Sequence, residues 1–311
     1  PSSEVNDSNI CEYNDIILST VRPKRSKSLI LTKSYGNIID HAFTLSKIRV
    51  MDMPPMYIYS ILYLLIDNFE RQLCTGSSYP VFKIELLNDY KIPIPKDKQK
   101  MIEWSQKITE PYNFKIENEK RIKELEKELQ ERVKTISENE DYEEKTIDEI
   151  YNVVYGNKNK ETKTSSKEYY IVGGGSNNNE LKMSSSWNTE KNTIIIARSG
   201  SPGNVSSFYR NSLVGSFAFT LNYKENTHNL YNYNYLKLNQ KEVINMGKGS
   251  VQKNLNRDDL NKFKLKIPKN KQLIQDMEPQ FQELEQLHVD VKNADKKYKD
   301  LIEELKNEAI K

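Results

Sequence analysis

The sequence predicts an α+β protein, with two pseudo-repeated α/β modules joined by two long helices that pair as an antiparallel coiled coil. Three observations carry this. A stretch of the chain recurs 173 residues further on, its character changes abruptly after Pro95 and again after Pro268, and each following tail spaces its apolar residues by three and four. The repeat comes first, because a missed repeat misassigns the whole fold.

Gly76-Ser-Ser-Tyr-Pro80 and the run to Pro95 align without gaps on the run from Gly249 to Pro268. The pairs Gly76/Gly249, Ser77/Ser250, Leu87/Leu260, Asn88/Asn261, Tyr90/Phe263, Lys91/Lys264, Ile94/Ile267 and Pro95/Pro268 share the offset of 173. Upstream, with small gaps, Ile16-Ile-Leu-Ser19 matches Ile194-Ile-Ile-Ala197, and Ala42-Phe43 matches Ala218-Phe219. The second copy has a leading segment, roughly 146–192, whose counterpart would precede Pro1. The first copy is therefore expected to lack its opening portion, either because that portion lies upstream in a longer protein or because the gene is a truncated relative. The expected boundaries are 1–95 for the first module, 96–145 for the first helix region, 146–268 for the second module and 269–311 for the second helix.

Proline closes each module and suits the start of a helix a few residues on. In the first tail Ile122, Leu125, Leu129, Val133 and Ile136 form a seam among Glu and Lys. In the second, Ile274, Met277, Phe281, Leu284, His288, Val291, Tyr298 and Leu305 do so, with breaks at Asp295 and Ile302. Pro111 should kink or break the first helix near Glu110. Stripes this narrow are not stable alone, so the two tails should pair, and antiparallel pairing fits helices that each lead away from a module. That would place one module at each end of a two-helix rod.

Composition excludes several classes. Charged residues are 29%, apolar residues 36%, and net charge is only +3, so no global argument for a polyanionic partner follows. Cys11 and Cys74 are too few for a disulfide framework, and His41, His228 and His288 are scattered, so neither a metal site nor a cofactor is expected. No apolar run reaches the roughly 18 residues of a membrane span. Met56–Ile66 reads as a buried helix, and a cytoplasmic location is expected. The clusters Tyr57-Ile-Tyr59 and Tyr231-Asn-Tyr233-Asn-Tyr235 read as core rather than base-stacking platforms.

The charge distribution is more informative than its sum. Residues 15–49 hold seven Lys or Arg against two Asp, and residues 198–259 hold eight against two Glu and two Asp, whereas the helical tails are slightly acidic. Basic modules suit phosphates, although a basic surface can also be merely solvated. Three loops supply candidate DNA contacts. After the first strand come Arg22, Lys24 and Arg25 in one copy and Arg198, Ser199, Ser201 and Asn204 in the other. The glycine loops offer Ser77, Ser78, Tyr79 and nearby Lys83 in the first copy, and Lys248, Ser250, Gln252 and Lys253 in the second. Gly173-Gly-Gly-Ser-Asn-Asn-Asn179 adds Ser176, Asn177 and Asn178. Arg can read guanine and Asn or Gln adenine in the major groove. Neither glycine-rich stretch matches a nucleotide-binding loop. The copies share scaffold residues and differ at loop side chains, as expected if one fold reads two different half-sequences.

This pattern resembles the target-recognition domains of specificity subunits of type I restriction–modification systems. The carrying residues are Asp15-Ile-Ile-Leu-Ser-Thr-Val-Arg-Pro23, Ala42-Phe43, Gly76–Pro80 and Leu87–Pro95 with Gln99. In the second copy they are Tyr169–Gly175, Ile196-Ala-Arg-Ser-Gly-Ser-Pro-Gly203, Gly249–Lys253 and Ile267-Pro268 with Gln272. The resemblance spans nearly the whole chain. It implies a non-catalytic subunit that selects a split site in double-stranded DNA and works with adenine-specific methyltransferase subunits, joined for cleavage by a motor nuclease subunit. The sequence shows no methyltransferase, helicase or nuclease motif. Two other readings stay open: the recognition region of a single-chain restriction–methylation enzyme, and a coiled-coil protein whose modules bind protein.

Overall fold

The computed structural model describes residues 12–23, 29–30, 45–76, 80–81, 84–87, 89–92, 94–156, 162–163, 169–172, 183–224, 228–249 and 253–309. It divides into two compact units, residues 1–119 with 289–311, and residues 120–288.

In the first unit, β1 (Ile16–Ser19) lies between β2 (Leu29–Ile30) and β3 (Leu45–Ile48), antiparallel to both. Its apolar run leaves Ile16, Ile17 and Leu18 buried. Just before it, the buried Asp15 carboxylate accepts hydrogen bonds from Arg49 Nε and Nη2 at 3.0 and 2.9 Å. Burial alone would raise the Asp15 pKa, but the guanidinium and the Glu12 amide hold it below its ordinary value. α1 (Pro55–Leu73) opens on Pro55, where the missing N–H has no helical partner to lose. Its buried face includes Tyr57, Tyr59, Ile61 and Phe69, so the Tyr57/Tyr59 pair is core. A 3-10 turn (Ile84–Leu87) precedes α2 (Lys98–Asn139). α2 runs through Pro111 as one helix, so of the expected kink or break near Glu110 the break does not occur. The hydrogen bond that proline forgoes is offset by burial of Ile108 and Tyr112, which flank it.

In the second unit, β4 (Tyr142–Thr146) leads through the single-turn α3 (Ile147–Ile150) into β5 (Tyr151–Tyr155). Thr146 and Glu149 make a reciprocal capping box at this turn. Next come β6 (Thr162–Lys163), β7 (Tyr169–Val172), β8 (Met183–Ser184), β9 (Ser186–Trp187), β10 (Ile194–Ala197), β11 (Val205–Ser206), β12 (Ser212–Val214) and β13 (Ala218–Tyr223). The main sheet has the order β11-β10-β13-β5, all neighbours antiparallel. A second sheet, β12-β7-β8, pairs β12 parallel to β7, and β6 pairs with β9. α4 (Asn229–Leu238), α5 (Gln240–Asn245) and α6 (Arg257–Asn261) lead to β14 (Lys264–Pro268), which pairs antiparallel with β4. α7 (Gln272–Gln275) and α8 (Glu278–Ala309) close the chain. Tyr231 and Tyr235 of α4 are buried, as expected of core aromatics.

Backbone features recur at the offset read from the sequence. An isolated bridge joins Thr75 to Val81, and the equivalent one joins Lys248 to Asn254. Both loops begin on a glycine with positive φ, Gly76 at 89° and Gly249 at 131°, a conformation that side chains with a Cβ rarely adopt. The 3-10 turn corresponds to α6, and α1 to the α4–α5 pair. The Ala42-Phe43 match lies outside the described residues. In the ladders, however, Leu45 faces Ser19 as Ala218 faces Ala197, so the pairing register places Leu45 at the Ala218 position.

Within each unit the long helices run antiparallel. In the first unit, Met101, Trp104, Ile108 and Tyr112 share one core with Tyr298, Ile302 and Leu305. Ion pairs join Lys115 to Asp295 at 2.5 Å and Glu110 to Lys297 at 3.2 Å, while Trp104 Nε1 donates to Glu308. In the second unit Leu125, Leu129 and Val133 are fully buried, as are Met277 and nearly Phe281 and Leu284. Arg121 pairs with Glu283 at 2.7 Å, and Arg132 donates to Gln280 and to the Asp276 carbonyl. Ile302 is 4% exposed, so the seam has no break there. Asp295 does occupy a seam position, where Lys115 and Lys299 pair with it.

Candidate nucleic-acid interface

The loop after β10 is shaped by its backbone. Ala197 N–H donates to the Asn204 carbonyl and Gly203 N–H to the Ala197 carbonyl, closing residues 198–203 into a tight turn. Gly203 sits at φ 83°, and a Cβ there would lie 2.6 Å from the Ile244 backbone. Glycine is therefore required by both conformation and space. The Arg198 backbone is fixed on both sides: its N–H donates to the Phe217 carbonyl and its carbonyl accepts from Leu255 N–H. That second bond joins the loop to the segment just after the Lys248–Asn254 bridge. In the first module, Arg22 N–H donates to the Pro80 carbonyl at 2.7 Å, beside a Val21–Val81 bridge. Each module thus brings together two of the loops singled out from the sequence.

The guanidinium of Arg198 lies 5.2 Å from the centre of the Tyr155 ring, and that of Arg257 lies 5.9 Å from the same ring. Arg198 Nε is buried without a hydrogen-bond partner. Tyr155 is 42% exposed and the neighbouring Phe217 is 61% exposed. Two cations over one exposed ring make a surface suited to a phosphate or a stacked base. Sequence reasoning missed Tyr155, Phe217 and Arg257. Arg257 aligns with Ile84, so the repeat drew no attention to it, and Tyr155 is brought in by a strand far away in sequence.

The remaining predicted residues fare differently. Ser199 is buried, Ser201 and Asn204 are half-buried, and Lys253 is exposed. Lys248 is exposed but ion-paired with Asp259 at 2.8 Å. Arg22 holds φ 47° in a half-buried position. Lys24, Arg25, Ser77, Ser78, Tyr79, Lys83, Ser176, Asn177, Asn178, Ser250 and Gln252 lie outside the described residues. Several basic residues counted toward the charge of the modules serve the fold instead. Arg49 holds Asp15, Lys224 donates to the Asp148 carbonyl, and Lys237 donates to the Val205 carbonyl and to Gln240. Among the described residues, no three or more His, Cys, Asp or Glu group as a metal site would require, and no helix is long and apolar enough to cross a membrane.

In each unit an arginine-bearing loop is thus hydrogen-bonded to a segment that follows a positive-φ glycine, Gly76 in one and Gly249 in the other. The family model of the type I restriction modification DNA specificity domain matches residues 139–297, and the chain belongs to that family. The chain is also similar to the S subunit of a type I restriction–modification system from M. genitalium, at 18% identity and a TM-score of 0.55, covering 94% of this chain and 83% of that one. The HsdS subunit from Thermoanaerobacter tengcongensis aligns at 11% identity and a TM-score of 0.36, over 96% of this chain and 83% of that one. A search of curated protein sequences found no match.

Proposed function

We propose that the chain is a non-catalytic specificity subunit whose two modules each read one half of a split site in double-stranded DNA. Adenine-specific methyltransferase subunits would act at the selected site, and a motor nuclease subunit would join them for cleavage. The observation that supports this reading is that in each module the loop after β1 or β10 is hydrogen-bonded to the segment by the glycine loop, Arg22 N–H to the Pro80 carbonyl and Leu255 N–H to the Arg198 carbonyl, while the loop side chains differ between copies. A shared scaffold with divergent tips is what reading two different half-sites requires, since base contacts carry the sequence information.

The test is a gel-shift titration of Arg198→Ala and Arg22→Ala. Each should lose about 1–3 kcal/mol of binding, roughly five- to hundredfold, with unchanged thermal unfolding. Parent-like affinity in both variants would remove these loops from the interface. The helices would set the gap between half-sites. Inserting one heptad into each lengthens the pair by about 10 Å, about three base pairs of duplex, and should shift the preferred gap accordingly. An unchanged gap would dismiss the ruler.

A further inference from the structure

β5 ends on a pinned aromatic residue. Tyr155 lies opposite Phe219 in the ladder with β13, and its ring packs on the buried Phe219 ring at 5.0 Å. The next residue, Gly156, donates its N–H to the Ala218 carbonyl, and a Cβ there would lie 2.4 Å from the Gly215 carbonyl oxygen. The strand end cannot shift without losing this close approach, so the half-open Tyr155 ring is held in place. Arg198 is held as well, its backbone bonded on both sides and its guanidinium beside that ring. Its Nε is buried and unpartnered while its two terminal nitrogens are not enclosed, and among the described residues no carboxylate pairs with it. A long cationic side chain in a purely structural role keeps its polar head in water. Covering one donor of Arg198 and leaving its outer edge free instead fixes the guanidinium plane, as bidentate hydrogen bonding to a base edge requires.

Arg257 meets the same ring differently. It opens α6, two residues after Leu255, whose N–H donates to the Arg198 carbonyl. Its side chain is 48% exposed, lies 5.9 Å from the ring centre and comes only within 3.9 Å of Asp258. An exposed ion pair that long contributes little, so this charge is loosely held. A phosphate asks for charge rather than for a fixed plane. Ile84 stands at the equivalent place in the first module, so this cation is particular to the second. We propose that Tyr155 is a positioning residue that holds Arg198 for readout of one base pair, with Arg257 as the adjoining phosphate contact. The inference rests on the DNA reading of these loops given above, and it adds to that reading two residues that lie outside the loop bearing Arg198.

The probe is a random duplex library, carried through selection by the full chain and by each variant, followed by titration of the selected and of an unrelated duplex over a range of salt. Arg198→Ala should lose preference at one base position, by about five- to hundredfold. Tyr155→Leu should weaken preference at that same position by about three- to tenfold, and Tyr155→Phe, which keeps the ring, should stay within about twofold of the parent. The double variant Tyr155→Leu/Arg198→Ala should lose no more than Arg198→Ala alone. Arg257→Ala should weaken both duplexes alike and lower the salt slope by about one. Arg198→Lys keeps the charge without the planar fork, so it should bind the unrelated duplex like the parent and lose the base preference. That variant decides the matter if Tyr155→Leu does not melt like the parent. Unchanged preference in a parent-like-melting Tyr155→Leu, an equal loss in Tyr155→Phe, or a double variant worse than Arg198→Ala would overturn the proposal. So would parent-like preference in Arg198→Lys or an unchanged salt slope in Arg257→Ala. With Arg198→Ala defective, these results remove the inference and leave the DNA reading standing. A parent-like Arg198→Ala, or no motif selected by the parent, removes both.

Discussion

At the scale of single residues, His288 shows how position in the seam decides chemistry. Its ring stacks on Tyr209 at 4.4 Å, and burial together with the nearby Arg210 charge pushes its pKa from 6.5 down to about 4. The folded imidazole therefore stays neutral where the unfolded one takes up a proton. Its contribution is fully present above about pH 6.5 and is lost as the pH falls toward 4, by at most about 3 kcal/mol. His288→Leu should flatten stability over that window. Urea unfolding at pH 7 and pH 4.5 checks this, and an equal loss in parent and variant would refute it. The sequence placed His288 on the seam, but its neutrality depends on Tyr209 and Arg210, which tertiary packing supplies. Arg257 and Tyr155 were hidden for the same reason: no periodicity signals that two loops and a strand end will converge.

At the scale of elements, the heptad spacing of both tails was legible because a buried stripe on a long helix must repeat. Two local readings need correction. Pro111 was expected to kink or break α2, and no break occurs, since helix propensity is a weak prior against the burial of Ile108 and Tyr112. The seam was expected to break at Ile302, which instead lies in the core. Leu129 is fully buried in the middle of its seam, so Leu129→Ala should cost about 2–5 kcal/mol. The exposed Lys127→Ala should cost less than about 0.5 kcal/mol. Chemical denaturation of the two variants checks the contrast. Similar losses would mean that the seam contributes no more than an ordinary surface.

At the scale of the whole molecule, the repeat was the most legible feature, because matching glycines, prolines and apolar phase leave little room for another fold. The bridges Thr75–Val81 and Lys248–Asn254 show that the match extends to hydrogen bonding. What the repeat could not show is which strands flank the copied core: in the second module β5 lies along β13 and β4 along β14. Which bases each module reads was equally illegible, because loop conformation decides which side chain meets which base edge.

The central claim, that the chain reads a split DNA site through two equivalent modules, is tested most directly by selecting its binding sites from a random duplex library. The account predicts two short conserved blocks separated by a gap of fixed length and free sequence, with Arg198→Ala degrading one block and sparing the other. Enrichment of a single continuous motif, or no enrichment over unselected DNA, would contradict it.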